Sequence, residues 1–574
     1  MKTELRRILG LLLAAAVLCL ALSACGLSPD VLGELLYGSP EPAPEPTRDW
    51  QAEGIQPLTE GGWLYGGYRT DTDFEDMAAL AAGADMGPLL EELLEFENGG
   101  DEGDFGYTYF LCSDELARFY ALYTLADIAY CSGPSDAAAQ DLEDARLAWE
   151  EAYADFCDAM VQVASTEAGA ALIDGYLGEG AAELHYSMGS EPDAGEAGYS
   201  AHEASLLHEY TLIMQEPQPD LEAAAEIYVE LVELRNARAR DAGWQSFADM
   251  EYSETYYRSY TPADTASVIW PEVKAWCAPL LSEYEAEAAR RLERLYSSGL
   301  DCSEEAVLSA LEYVALRLCP DALEAYDYML EHGLCDLSYD PGKLETGFTS
   351  YIYYFNEPYL FNSPYGDADD FGDSFHEFGH FLNAYGTTSD LVYGMPDYDL
   401  SELQSQGMEV MATHWYEELF GDLSGDMLMT TLWDLLASVV DGSLYDEFQQ
   451  RCYAEPGLTA ERACEIYLET AADYGRDPGE AGRYDWVYIL HNFEYPFYYI
   501  SYCVSALPAL ELYGLLLEDP AEAAELYMHA AALDTELYYF DEALAECGFA
   551  DVFEPGACEG CAQQLRAVFA SLCA

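Results

Sequence analysis

His376-Glu377-Phe378-Gly379-His380 places two histidines and a glutamate in a HExxH pattern, in a chain of 574 residues that has only nine histidines. On a helix, side chains four apart project from one face, so His376 and His380 can share one metal ion. Glu377, next to the first histidine, can reach a water on that ion. Imidazoles as ligands and a carboxylate as general base are the parts of a metal-assisted hydrolase. A catalytic zinc takes three protein ligands and keeps one position open, so a third donor is required. Ser401-Glu402-Leu403-Gln404-Ser405-Gln406-Gly407-Met408-Glu409 supplies candidates, because Glu402, Ser405 and Glu409 fall at i, i+3 and i+7 on one helix face. Glu402 is read as the third ligand of one Zn2+. Glu409 is read as the acceptor behind His376 or His380, since ligating imidazoles commonly donate their other N–H to a carboxylate. Asp399-x-x-Glu402 also matches a capping box, which would give Glu402 a helix-start role instead.

These side chains need elements to hold them. Asp367 to Tyr385 predicts the motif helix, begun by an Asp-rich turn and stopped by Gly386, with Phe371, Phe375, Phe378 and Leu382 as its apolar face. A second helix is expected from Ser401 to about Phe420, before Gly421. Further on, His491, Tyr495, Tyr498 and Tyr502 stand at i, i+4, i+7 and i+11, the spacing of one helical stripe, with Pro496 starting or kinking that helix. Phe348 to Tyr365 is rich in Tyr and Phe and predicts short strands, one of which could pair with a substrate backbone beside a cleft. Leu231 to Trp244 predicts a helix ending near Gly243, whose arginines read as a surface face paired with neighbouring carboxylates.

A hydrophobic content of 51% over 574 residues can bury a large core, divided among more than one subdomain. Long Ala/Leu/Glu/Tyr-rich segments with a period near 3.6, and few period-2 runs, predict a mainly α fold. The balance of 22 Lys+Arg against 108 Asp+Glu, a formal net charge of -86, repels nucleic acid and anionic membrane surfaces and suits cationic partners. At the N-terminus Lys2, Arg6 and Arg7 precede an apolar run from Ile8 to Leu22, and Leu22-Ser23-Ala24-Cys25 resembles a bacterial lipobox. Residues 1–24 therefore read as a lipoprotein signal peptide, Cys25 as the lipid attachment site and residues 25–48 as a Pro-rich tether. Residues 49–215 read as an N-terminal helical domain and 216–574 as the catalytic HExxH domain. This places the protein on the extracytoplasmic face of a bacterial membrane, attached through lipid only, and no later apolar run is expected to span. Most of the remaining cysteines sit in apolar helical stretches, and the C-terminal set Cys547, Cys558, Cys561 and Cys573 contains one CxxC.

HEFGH followed by Glu402-x-x-Ser405-Gln406-x-x-Glu409 resembles the zinc peptidases of the thimet oligopeptidase and oligoendopeptidase F family. Leu231 to Trp244 and Pro358-Tyr359-Leu360-Phe361-Asn362 also resemble oligoendopeptidase F, so the likeness covers roughly residues 210 to 515, while the N-terminal domain matches only in helical character. The resemblance implies a two-lobed helical fold with possibly a small β element, and zinc deep in a channel that admits short peptides. Through Pro496-Phe497-Tyr498 it also implies that His491 and Tyr498 face the scissile peptide, with Tyr502 as a further substrate contact. Asn383 departs from it, standing where family members often carry another histidine. The implied activity is a zinc endopeptidase in which Glu377 activates water and His491 and Tyr498 donate to the oxyanion. Two other readings are a peptide-binding lipoprotein with a vestigial metal site, which the intact Glu377 disfavours, and a helical HExxH carboxypeptidase, which the scarcity of Lys and Arg near the motifs disfavours.

Overall fold

The computed structural model describes residues 56–64, 69–178, 180–188, 194–389 and 396–574. The signal peptide, Cys25 and the Pro-rich tether lie outside the described residues.

The fold is helical and has two hydrophobic cores. A smaller one gathers Phe105, Leu116, Phe156 and Leu177, and a larger one runs from Met77 to Phe569. One long helix, α1 (Glu102–Ser132), joins them. Its first half (Phe105, Tyr109, Cys112, Leu116) packs in the small core beside α2 (Asp136–Ala164), and its second half (Ala121, Leu125, Ile128, Cys131) packs in the large one. The same helix thus belongs to both cores.

Helix α3 (Leu221–Asp241) is the arginine-bearing segment, and it ends before Gly243, whose φ of 86° is the left-handed value that favours glycine. Arg240 is exposed and Arg238 lies beside Glu203, as a surface face would have them, but Arg235 departs from that expectation. Arg235 is 1% exposed, and its guanidinium donates to Glu203 Oε1 (2.6 Å), Tyr453 OH (3.1 Å) and the Phe493 carbonyl (2.6 Å). Sequence periodicity could not foresee this, because two of the three acceptors lie more than 200 positions away and only a planar fork of donors can meet all three.

A three-stranded sheet follows, built from β1 (Cys335–Asp336), β2 (Gly347–Ile352) and β3 (Glu357–Asn362) in the order β1-β3-β2. The aromatic segment thus forms the expected strands. β2 pairs antiparallel with β3 (Thr349 opposite Leu360), and β1 pairs parallel with its far end. Pro358 sits where β1 no longer flanks β3, so its missing N–H is tolerated.

The larger core is organised by α4 (Asp369–Gly386), α5 (Tyr398–Ala412), α6 (Ser424–Ala454) and α7 (Ile500–Glu518). α4 lies on β2 and β3 and against α5, while α7 packs on both α5 and α6. The Asp-rich turn before α4 is closed by Asp370, whose carboxylate accepts from the N–H groups of Tyr365, Gly366 and Asp367. The segment after α5 is broken by a 3-10 turn at Thr413–Trp415 before the short helix Tyr416–Phe420. By length and composition alone the stretches Tyr398–Ala454 and Ile500–Glu518 are long and apolar enough to cross a membrane. They are instead buried within the protein over 56% and 72% of their apolar windows. Among the described residues every cysteine is a free thiol.

Candidate metal centre

The motif glycine sets the geometry. A Cβ on Gly379 would lie 2.7 Å from the Gln404 carbonyl oxygen and 2.7 Å from Ser405 Cα, so α4 and α5 touch backbone to backbone at this point. That crossing brings Glu402 to the histidines. Donor atoms of His376, His380 and Glu402 all lie within 4.8 Å of one another, and among the described residues no other group of His, Cys, Asp or Glu could hold a metal. The C-terminal cysteines therefore form no such cluster.

Each donor is oriented from behind. His376 Nδ1 is 2.7 Å from Glu409 Oε1, which leaves Nε2 facing Glu402 Oε2 at 3.4 Å. His380 Nδ1 is 3.2 Å from Ser401 Oγ, so its Nε2 is likewise free for a ligand. Glu402 Oε1 accepts from Tyr498 OH (2.7 Å), and Oε2 accepts from Ser405 Oγ (3.3 Å). The cap of α5 is Asp397, which accepts from Leu400 N. Asp399 is buried, accepting from Tyr260 OH and paired with Arg258, so Glu402 has no capping-box role. Glu377, 8% exposed, has Oε2 held by the Thr349 hydroxyl of β2 at 2.9 Å.

The electrostatics favour a cation among these groups. Burial pushes the Glu402 carboxyl up, but its hydrogen bond and charge interaction with His376 outweigh this and hold it at about 2. Burial pushes His380 down to about 4, so it is the neutral imidazole a metal requires. His376 is pressed down by burial but lifted well above its usual value by Glu402 and Glu409. Burial raises Glu377 to about 7, opposed by His376 and by the Thr349 hydrogen bond. Two imidazoles and a deprotonated carboxylate, each fixed by a hydrogen-bonded partner, fit the donor set of a catalytic zinc with a fourth position open.

No family model matches the chain, and no curated protein matches it in sequence. Solved structures do. A protein assigned as oligoendopeptidase F aligns at 20% identity with a TM-score of 0.69, covering 87% of this chain and 99% of its own. PZ peptidase A with an inhibitor aligns at 18% identity and a TM-score of 0.67, covering 89% and 99%. Metallocarboxypeptidase 1 of Trypanosoma cruzi aligns at 13% identity and a TM-score of 0.52, covering 84% and 99%. The chain has the oligoendopeptidase F fold.

On this oligoendopeptidase F fold the His491 to Tyr502 residues do come together, but not as the predicted helical stripe. Leu490–Asn492 is a 3-10 turn, α7 starts only at Ile500, and between them Phe497 has a φ of 65°. Pro496 lacks an N–H and Phe497 takes the left-handed conformation, so no helix can run through this segment. The turn still gathers the rings: His491 lies 5.4 Å from Tyr498 and 6.0 Å from Tyr502, and Tyr498 lies 5.3 Å from Tyr502. Burial lowers His491 to about 4 and raises the Tyr498 phenol well above its usual value, so both are neutral donors. Asn383 donates to the carbonyls of Ala531 and Leu533, tying α4 to the following layer rather than approaching the donors.

Sequence reading missed Ser401 and Thr349. Neither carried a local signal, since each acquires its role only by packing against α4. The wall beside the donors is acidic and aromatic. Asp373 and Asp434 are solvent-accessible, and their packed surroundings together with neighbouring carboxylates, Glu409 among them, raise them to about 7 and about 8. Burial also raises Tyr495, with Glu494, Tyr123, Tyr398 and Asp127 adding to the effect.

Proposed function

We propose that this chain is a zinc-dependent endopeptidase of short peptides, a member of the oligoendopeptidase F family carried on the outer face of a bacterial membrane by a lipid on Cys25. The observation that carries the reading is the convergence of His376, His380 and Glu402 donor atoms within 4.8 Å beside a glutamate whose carboxylate is separately held by Thr349. A bound zinc would supply Lewis acidity to the scissile carbonyl and to the attacking water.

The chain's own residues account for the remaining steps. Glu377, raised to about 7, is poised to take a proton from water near neutral pH and return it to the leaving amine. Thr349 fixes the carboxylate oxygen that does not face the water. Tyr498 now donates to Glu402, and a rotation of its hydroxyl toward the substrate would bring it to the developing oxyanion, with neutral His491 beside it. Tyr502 completes this wall. β2 is an edge strand next to Glu377, so an extended peptide can add to it with its backbone. A cleft between two lobes fits a flexible oligopeptide and no folded protein.

Because a metallocarboxypeptidase has the same fold, exopeptidase action is the reading to separate. The full chain is loaded with zinc and incubated with peptide libraries whose C-termini are free or amidated, alongside Glu377→Gln. Wild type should cut internal bonds of amidated peptides, and Glu377→Gln should lose about 10²-fold or more in kcat while keeping its zinc. Equal cleavage by both proteins refutes the mechanism. Removal of only the last residue of free-ended peptides would make it a carboxypeptidase, and zinc binding without cleavage a peptide-binding protein.

A further inference from the structure

Between Asn492 and Ile500 the chain forms no regular helix or strand, only turn bonds such as Tyr495 N–H to the His491 carbonyl and Tyr498 N–H to the Tyr495 carbonyl, and none of these reaches the Phe497 N–H in its middle. Phe497, the residue before Tyr498, is fully buried and has a φ of 65°, a conformation that a residue with a Cβ adopts only when its surroundings impose it. Its ring is wedged among Tyr453 (5.2 Å), Tyr252 (5.9 Å) and Phe247 (6.2 Å). Its N–H, which no helix satisfies, donates to Gln449 Oε1 at 2.7 Å. Gln449 is itself 0% exposed on α6, and its other end donates from Nε2 to Asn492 Oδ1 at 2.8 Å, while Asn492 donates on to the Trp486 carbonyl. One amide thus grips both ends of the turn, next to His491 on one side and next to Tyr498 on the other.

We propose that Gln449 is the positioning residue of the oxyanion-binding turn: its side-chain amide holds Phe497 left-handed, and this sets the Tyr498 hydroxyl and the His491 ring against the metal donors. The proposal rests on the role assigned above to Tyr498. Gln449 touches no donor of the metal, and its influence passes through the turn alone. Arg235 and Tyr256 secure the neighbouring carbonyls of Phe493 and Pro496 but leave the Phe497 N–H to Gln449.

The test is a double-mutant cycle on the zinc-loaded full chain with Gln449→Leu, Tyr498→Phe and the pair, reading kcat, KM and zinc content. Gln449→Leu should lower kcat about 10- to 100-fold, with KM within about twofold and zinc unchanged, as expected for misplacing a group that acts in the transition state. Added to Tyr498→Phe, it should cost clearly less than it does in wild type, because only the part that passes through His491 remains. Gln449→Glu keeps both contacts in its protonated form, one oxygen accepting from the Phe497 N–H and the other donating to Asn492 Oδ1, and in that form, the one that burial favours, should recover most of kcat. It also decides the matter if Gln449→Leu fails to fold. Losses of equal size in both backgrounds, a rise in KM without a fall in kcat, or no recovery by Gln449→Glu would overturn the proposal. Full turnover by Tyr498→Phe alone would overturn the role of Tyr498 and this inference with it.

Discussion

Removing the Glu409 carboxylate should weaken zinc binding by an amount the geometry fixes. Glu409 Oε1 meets His376 Nδ1 at 2.7 Å, a charge-assisted contact of the kind worth about 1.5–3 kcal/mol. The two side chains are 23% and 16% exposed, and solvent screening brings the expectation to the lower part of that range, about 1.5–2 kcal/mol. Glu409→Ala should therefore weaken zinc about 10- to 30-fold. Ser401→Ala removes a neutral partner of His380 at 3.2 Å, where about 0.5–1 kcal/mol, or two- to fivefold, is expected. The two partners act on different imidazoles, so the double variant should show the sum of the single losses. Competition between each full-length variant and a chromophoric chelator, at fixed pH and ionic strength, reads these affinities directly. An unchanged affinity in Glu409→Ala, or a larger loss in Ser401→Ala than in Glu409→Ala, would refute the reasoning.

Other perturbations test the scaffold. Gly379→Ala sets a methyl against the backbone of Gln404 and Ser405, which cannot move aside as a side chain would, so α4 and α5 must separate. Zinc affinity should fall more than about tenfold with helical content retained, and an unchanged affinity would contradict the close crossing. Glu357 is fully buried on β3, and burial raises its carboxyl from 4.5 to about 7 against a hydrogen bond from Tyr328. Its stabilising contribution is complete below the unfolded value and is lost as pH rises through about 7, with a ceiling of about 3 kcal/mol. Urea unfolding should show Glu357→Gln gaining on wild type between pH 5 and pH 8, and a pH-independent difference would refute the shift. Arg235→Met takes the donor from the buried Tyr453 hydroxyl and Phe493 carbonyl and the nearer cation from Glu203, and should cost about 3 kcal/mol in the same assay, and Arg235→Lys should not restore it because one ammonium cannot meet all three.

The parts of the site that were legible in the sequence are those fixed by helix geometry within one segment. His376 and His380 share a face because they are four apart, and Glu402 and Glu409 both reach His376 because they are seven apart on α5. The sheet was legible from its aromatic, β-branched run. The residues that read wrongly were those whose partners come from elsewhere. The spacing of His491, Tyr495, Tyr498 and Tyr502 mimics a helix, but Pro496 and the left-handed Phe497 make it a turn whose shape depends on Gln449. Arg235 shares a helix with exposed arginines, and nothing local reveals that Tyr453 and Phe493 close around it.

The α5 segment shows why a ligand-bearing helix can still betray itself. Glu402, Gln404, Ser405 and Gln406 are four polar residues within five positions, broken only by Leu403, and all are between 0% and 4% exposed. A buried polar group is costly unless paired, so each must have a partner that fixes it. Gln404 donates to the carbonyls of Ala530 and Leu533, Gln406 accepts from Ser505, and Ser405 and Tyr498 donate to Glu402. A helix that held Glu402 only by apolar packing could rotate with little penalty and carry the carboxylate away from the histidines. Hydrogen bonds on every side of α5 make such rotation expensive, because any turn of the helix would strand several buried groups at once. A run of buried polar groups set between the apolar residues Leu400, Leu403, Met408 and Met411 is therefore the mark of a helix whose angular position the chemistry depends on.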